Sequence, residues 1–168
     1  MSRTLVSTSV LLTIGCSPGP DAVPVSAESA PVAVEVPTLS LVASEASVVI
    51  TVDVHFARPT ATLGPRMAEL VLHAEGPVTY ERGDALAALT AAGKQLVAQP
   101  RDGGDVRLAM FATTNTATLD SGPLARITFR RAGPGPVTFR LLPRVPMFAP
   151  SESAVGLHLG EAIVVGMP

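Results

Sequence analysis

The stretch Val48–Phe56 (VVITVDVHF) decides the fold class, because apolar residues recur in it at every second position. Thr51, Asp53 and His55 occupy the alternate positions and therefore point to the opposite side of an extended chain. An alternation with period two is typical of a β-strand that has one face on the core and the other in solvent. The stretch thus predicts a β structure built from half-buried strands.

The same alternation continues on both sides of this stretch. Met67–Ala74 repeats it, with Ala68, Leu70 and Leu72 facing one way. Further strands are predicted at Leu39–Ala43, Gln95–Gln99, Val106–Phe111, Leu124–Arg131, Val137–Leu142 and Leu157–Val165. About nine short strands without repeated helical crossovers favour an all-β, two-sheet β-sandwich with jelly-roll-like topology over a parallel α/β fold.

Two segments between the predicted strands have patterns of their own. Asp102–Asp105 (DGGD) contains the two glycines that supply positive φ angles in a tight hairpin turn. It lacks the longer ligand series and the terminal Glu of a calcium loop. Asp84–Ala92 (DALAALTAA) begins with a helix-capping residue and is followed by Gly93, which predicts one short helix or a loop between strands.

The N-terminal residues predict export and lipid anchoring. Arg3 precedes an apolar stretch of about ten residues, which is too short to span a bilayer but typical of a secretory signal. The stretch ends at Cys16, the only cysteine, in a pattern that resembles the lipobox of bacterial lipoproteins. Thr13 stands where a lipobox usually has Leu, so an ordinary secretory signal is the alternative. Acylation of Cys16 would hold the protein on a membrane, and Ser17 resembles an outer-membrane sorting signal.

Composition then divides the chain into three parts. Residues 1–15 are predicted to be the signal peptide, and residues 16–37 a tether rich in proline and alanine. Residues 38–168 are predicted to be the folded domain. The formal net charge of −2 gives no indication of nucleic-acid binding.

Three runs within the predicted domain resemble the cohesin domains of bacteria. They are Tyr80–Leu86 (YERGDAL), Val106–Phe111 (VRLAMF) and Ser121–Phe129 (SGPLARITF), and the similarity extends over residues 38–166. Cohesins are nine-stranded sandwiches that bind dockerin modules in extracellular enzyme assemblies. The resemblance therefore implies a non-catalytic, protein-binding module of that fold. The expected partner is a dockerin-like module or a component of an envelope assembly.

Other functions find less support in the residues. No phosphate-binding loop, paired metal-ligand motif or nucleophile elbow is present, so neither an enzyme nor a cofactor is predicted. Asp53, His55 and His73 would form a metal or acid–base cluster only if their strands were neighbours. Polysaccharide binding is an alternative, but the chain has no Trp and a single Tyr for stacking on sugar rings. A structural lipoprotein of an envelope secretion or pilus assembly is a further alternative.

The candidate binding residues are Arg126, Thr128, Arg130 and Arg140. The first three alternate along one predicted strand, and Arg140 is expected to lie nearby on the next. Arginine is enriched at protein interfaces, so these residues form a candidate interaction stripe. The alternative is a charged outer face that keeps the sandwich in solution. Met147 and Phe148 are expected either to cover a sheet edge or to form an exposed contact.

Overall fold

The computed structural model describes residues 36–142, 147–148 and 156–166, which are organised mainly as β-strands. The strands are β1 (Thr38–Ala46), β2 (Val49–Ala57), β3 (Met67–Glu75), β4 (Val78–Ala85), β5 (Gln95–Pro100), β6 (Asp105–Phe111), β7 (Gly122–Arg131), β8 (Val137–Leu141), β9 (Met147–Phe148), β10 (His158–Leu159) and β11 (Ile163–Val165). A short helix, α1 (Ala87–Ala91), follows β4. The predicted signal peptide, Cys16 and the tether up to residue 35 lie outside these ranges.

The strands form two sheets. Sheet A has the order β10-β1-β2-β7-β4, and sheet B has the order β11-β8-β3-β6-β5, with β9 pairing with the beginning of β3. The strands change sheet between β2 and β3, β3 and β4, β4 and β5, β6 and β7, β7 and β8, β9 and β10, and β10 and β11. Neighbouring strands are antiparallel, apart from the short parallel pair of β1 and β10. The predicted all-β, two-sheet sandwich is therefore confirmed.

The core lies between the sheets and is filled by the inward-facing set of alternating residues. In β2 these are Ile50, Val52, Val54 and Phe56, which are buried as the period-two pattern predicts. Ala68, Leu70 and Leu72 of β3 face them from sheet B, and all belong to one apolar cluster. The rings of Phe129 and Phe139 join the two sheets, with their centroids 5.0 Å apart. Burial of each large apolar side chain contributes about 1.5–3 kcal/mol.

One strand, β4, has no counterpart among the predicted ones. Its sequence VTYERGDA carries little apolar alternation because β4 is the last strand of sheet A and pairs only with β7. Its register also shifts between Tyr80 and Arg82, so the two halves of the strand are out of phase. Gly83 faces the other sheet, where a Cβ atom would lie 2.6 Å from Ala98 Cβ. A search for apolar residues at every second position therefore does not detect an edge strand that has a bulge and a glycine.

Three other segments qualify the predicted elements. The helix predicted over Asp84–Ala92 shortens to Ala87–Ala91, because the residues before it complete β4. The single strand predicted over Leu157–Val165 is two short strands, β10 in sheet A and β11 in sheet B. The hairpin turn at Asp102–Asp105 is confirmed, and Gly103 and Gly104 have φ angles of +76° and +84°. No helix in the described ranges is long and apolar enough to cross a bilayer.

Candidate functional site

The outer face of sheet A carries three of the four candidate binding residues. Arg126, Thr128 and Arg130 project from β7 on the side opposite the core. Arg126 donates two hydrogen bonds of 2.7 Å to the carboxylate of Asp53 on β2, and this contact raises the pKa of the guanidinium. Arg130 donates one hydrogen bond, from Nε, to the carboxylate of Glu81 on β4. Both arginines are therefore occupied by carboxylates of the same face.

Thr128 lies between these two arginines and is hidden by its neighbours. Its residue is only 4% exposed although it belongs to the outer face, where Thr51 and Arg82 flank it in the register. Its hydroxyl oxygen is buried and has no hydrogen-bond partner among the described residues. A buried hydroxyl of this kind is not available to a ligand unless the arginines move. The role of the three residues in binding is untested, but their geometry fits a self-contained charged face.

Arg140 does not join this group. It lies on β8 in sheet B, opposite His73 of β3, whereas Arg126 lies in sheet A. The expectation that Arg140 lies beside the other three is therefore wrong, because β7 and β8 follow each other in sequence but belong to different sheets. Arg140 is exposed and forms no ion pair within the described residues.

The crossing between β2 and β3 likewise separates the residues of the candidate metal cluster. Asp53 and His55 lie on β2 in sheet A, and His73 lies on β3 in sheet B, so the condition for such a cluster, that the two strands are neighbours, is not met. The Nδ1 atom of His73 instead lies 2.7 Å from a carboxylate oxygen of Asp105 on β6. Within the described residues, no three His, Cys, Asp or Glu side chains are arranged to hold a metal ion.

The outer face of sheet B differs in chemistry from that of sheet A. At one end it exposes an apolar strip, defined here as Met67, Val97, Ala109 and Phe111 on β3, β5 and β6. Met67 and Val97 are 45% and 47% exposed. Ala109 and Phe111 connect them by lining shallow depressions on either side, of about 210 Å³ towards Val97 and about 60 Å³ towards Met67.

Charged side chains border this apolar strip. Arg107 donates two hydrogen bonds, of 2.7 and 2.8 Å, to the two carboxylate oxygens of Glu69, and the contact lowers the pKa of Glu69. The pair of His73 and Asp105 follows along the same strands, and Arg140 lies beside His73 on β8. The face thus combines an exposed apolar area with the ion pair of Glu69 and Arg107, and its Arg140 has no acidic partner among the described residues.

Sequence reasoning missed the apolar strip, although a signal for it is present. In β6 (DVRLAMF), residues 108–111 are apolar in both phases of the alternation, so two of them must face outwards. In β5 (QLVAQP), residues 96–98 show the same feature. Apolar residues on the outer phase of adjacent strands indicate a surface that is covered by something else. Phe56, Phe129 and Phe139 are buried in the core, whereas Phe111 lies on the outer face.

Comparison with known proteins identifies the fold. The chain is similar to the sixth cohesin of scaffoldin B from Acetivibrio cellulolyticus, a structure of a complex with a Cel5 dockerin mutant, at 12% identity and a TM-score of 0.65 over 80% of this chain and 100% of that one. It is also similar to a cohesin module of a family 33 glycoside hydrolase from Clostridium perfringens, at 10% identity and a TM-score of 0.64 over 78% and 96% of the two chains.

A third similar structure is a non-cellulosomal cohesin from the archaeon Archaeoglobus fulgidus, at 12% identity and a TM-score of 0.59 over 74% of this chain and 86% of that one. No family model matches the chain, and no curated protein matches it. At such identities the similarity demonstrates the cohesin-like β-sandwich fold.

Proposed function

We propose that this chain is a non-catalytic, protein-binding module, and that its partner docks on the outer face of sheet B. The observation that carries the proposal is the apolar strip of Met67, Val97, Ala109 and Phe111, which is exposed on the outer face of sheet B. A partner of the dockerin type is the first candidate, since one of the similar cohesins was solved in complex with a dockerin. The expectation of a protein partner drawn from the sequence leads to the same candidate.

The distribution of chemistry on this face fits a protein–protein interface. Such interfaces have an apolar centre that loses its water and a polar rim that keeps part of it. The strip supplies the apolar centre, and the ion pair of Glu69 with Arg107 lies next to it with both side chains half-exposed. A sugar-binding face would need a row of aromatic rings, and the strip contains one, Phe111. A polypeptide that presents apolar side chains therefore matches the face better than a polysaccharide does.

Arg140 favours a partner that carries negative charge. It is exposed beside the pair of His73 and Asp105 and has no carboxylate partner among the described residues. Arg126 and Arg130, on the outer face of sheet A, each have such a partner. We therefore expect a partner that brings apolar side chains to the strip and a carboxylate to Arg140. Complementary charges of this kind raise the association rate and fix the orientation of the partner.

We further propose that the module is exported and anchored in the bacterial envelope, at the outer membrane or cell surface, through a lipid on Cys16. The support is the signal-like stretch before Cys16 and the proline-rich tether after it. Growth with a labelled fatty acid tests this proposal. Label is expected in the wild-type protein and not in Cys16→Ala, and a variant that remains equally membrane-bound would contradict lipid anchoring.

The docking face is tested with two matched substitutions of exposed valines. Val97→Glu places a charge in the strip, and Val42→Glu places the same charge on β1 of sheet A, where Val42 is 55% exposed. Each variant is immobilised and assayed against a panel of dockerin modules and against envelope extract of the source cells. We expect Val97→Glu to weaken capture of a specific partner by at least tenfold, since a charge would be buried without a partner. Val42→Glu should leave capture unchanged.

Other outcomes separate the alternatives. If the captured proteins are components of a secretion or pilus assembly and depend on Val97, the docking face stands and the dockerin assignment is wrong. Equal capture by both variants would contradict the docking face. Binding on a glycan array, without any protein that depends on Val97, would replace the proposal with polysaccharide binding.

A further inference from the structure

Two cations lie at the end of the sandwich where β3 and β5 begin. Arg66 directly precedes β3 and Lys94 directly precedes β5, and both strands pair with β6. Continued past the strand ends, the two registers bring both residues level with Ala112, which follows β6. Neighbouring strands lie about 4.8 Å apart, so the two backbones are about 10 Å apart there and their long side chains can meet.

Lys94 is the more deeply buried of the two. It is 5% exposed, and its ammonium donates a hydrogen bond of 3.1 Å to the amide oxygen of Asn115. The amide nitrogen of Asn115 donates in turn to the carbonyl oxygens of Ala92 and Gly93, which fixes the orientation of that amide. An ammonium has three N–H donors, so two of those of Lys94 have no acceptor among the described residues.

Arg66 supplies the second cation. It is half-buried, and its Nε atom is buried without a hydrogen-bond partner in the described part of the chain. Neither Arg66 nor Lys94 takes part in any of the ion pairs found there. The charge of Arg66 also reaches Lys94, since it lowers the pKa of Lys94 as a second cause after burial. Buried charges are normally paired, so two cations that repel each other indicate a place for an anion.

An acidic residue in the neighbouring segment is already engaged. Asp120 lies between β6 and β7, as Asn115 does, and its carboxylate pairs with Arg58 at 2.5 Å. The described residues therefore provide no carboxylate for Arg66 and Lys94. Asn115 is exposed and Arg66 is half-exposed, so the two cations border solvent and an anion can approach them from solution.

We propose that Lys94 and Arg66 together bind a small oxyanion of the phosphate class. Its oxygens would accept hydrogen bonds from the ammonium of Lys94 and from the guanidinium of Arg66, while Asn115 keeps the ammonium in place. Charge-assisted hydrogen bonds of this kind are about twice as strong as neutral ones. The site lies at the end of the sandwich, so it does not depend on the proposed docking of a protein on the outer face of sheet B.

Thermal unfolding of the whole chain tests the site, with inorganic phosphate as the probe and sodium chloride at equal ionic strength as the reference. A ligand that binds only the folded state raises the melting temperature with the logarithm of its concentration. We expect a rise of about 5 °C for each tenfold increase of phosphate above its dissociation constant. Glycerol phosphate then distinguishes the two sources of the anion. An equal rise supports a phosphate group on a larger molecule, and a smaller rise supports the free ion.

Substitutions locate the effect. Lys94→Met and Arg66→Gln each remove one of the two cations, so each should abolish the logarithmic rise. Phosphate also stabilises folded proteins by exclusion from their surface, and all variants share this general effect. The matched control is Arg101→Gln, which removes an exposed arginine at the other end of β5 and should keep the rise. Val97→Glu should keep it as well, which separates this site from the docking face.

Lys94 also provides a local readout, because it is the only lysine in the chain. Lysine that is isotopically labelled at its ε carbon gives a single side-chain signal in nuclear magnetic resonance. Phosphate should shift this signal saturably and raise the pKa read from it, since a bound anion favours the charged ammonium. Chloride at the same ionic strength should not. A signal that phosphate leaves unchanged, or an equal thermal response of the wild type, Lys94→Met and Arg66→Gln, would overturn the proposal.

Discussion

Replacement of Thr128 by valine tests whether this residue serves binding or only the packing of sheet A. Thr128 is 4% exposed, and its hydroxyl oxygen has no hydrogen-bond partner in the part of the chain that the structure describes. A hydroxyl that loses its water without gaining a partner costs about 1–3 kcal/mol by mutational data. Valine has nearly the same shape and favours strands, so it removes the cost without creating a cavity. We expect Thr128→Val to raise the free energy of unfolding by about 1 kcal/mol.

The measurement is denaturant unfolding followed by circular dichroism, with a thermal scan as a second readout. A gain of about 1 kcal/mol corresponds to a rise of about 4 °C in the melting temperature for a domain of this size. Capture of the partner should not change, since valine keeps the shape of a side chain that a ligand cannot reach.

Thr51 supplies the matched control, because it faces Thr128 in the register of β2 and β7. Its hydroxyl lies 2.7 Å from that of Ser44, so Thr51→Val breaks a hydrogen bond where Thr128→Val breaks none. We expect Thr51→Val to be neutral or to destabilise the domain by about 0.5–1 kcal/mol. If Thr128→Val destabilises the domain as much as Thr51→Val does, the hydroxyl of Thr128 has a partner and the reasoning fails. A loss of partner capture in Thr128→Val would restore it as a binding residue.

Two further substitutions follow from single positions in the fold. In the turn between β5 and β6, Gly104→Ala should lower the free energy of unfolding by about 2 kcal/mol or more, because the φ angle is +84° and the new Cβ would collide with a carbonyl oxygen of β3. Gly103→Ala has a φ angle of +76° but open space around it, so it should lower the free energy of unfolding by only about 1 kcal/mol. The midpoints of urea unfolding compare the two variants. Lys94 is 5% exposed, and its burial, followed by the charge of Arg66, lowers its pKa. Lys94→Met should therefore stabilise the domain by about 1 kcal/mol at neutral pH. Asn115, which accepts a hydrogen bond from Lys94, would still accept one from a backbone N–H. Because the unfolded chain holds that proton up to a higher pH than the folded one, wild-type stability should rise with pH as Lys94 loses its proton, and Lys94→Met should lack this rise; a parallel pH profile in urea titrations would contradict it.

The fold could be predicted from the sequence to the extent that it rests on alternation. Residues 48–56 and 67–74 have one apolar and one polar face, and each became a strand with that face on the core. The turn at Asp102–Asp105 could be predicted because only glycine adopts its φ angles without strain. β4 could not, because an edge strand with a bulge buries little and carries no regular pattern.

The candidate site could be predicted far less well, since it depends on which strands share a sheet. Arg140 follows Arg130 closely in sequence, yet the crossing between β7 and β8 puts the two arginines on opposite sides of the sandwich. The same kind of crossing between β2 and β3 separates His55 from His73. Local patterns indicate which side of a strand faces the core, and they contain no information on which of two sheets the strand joins.

The two outer faces explain how a cohesin-like sandwich fold is kept at about 12% sequence identity. The inward-facing residues stabilise the fold, and these positions require only apolar side chains of suitable size. Their identities can therefore change while the fold is kept. The outer phase is free to vary, and it is the part that the proposed partner would contact. In sheet A it is occupied by pairs such as Arg126 with Asp53, which satisfy each other. In sheet B the strip around Val97 and the charge of Arg140 lack such neighbours among the described residues. Specificity should therefore change with Val97 and Arg140 rather than with the arginines of sheet A.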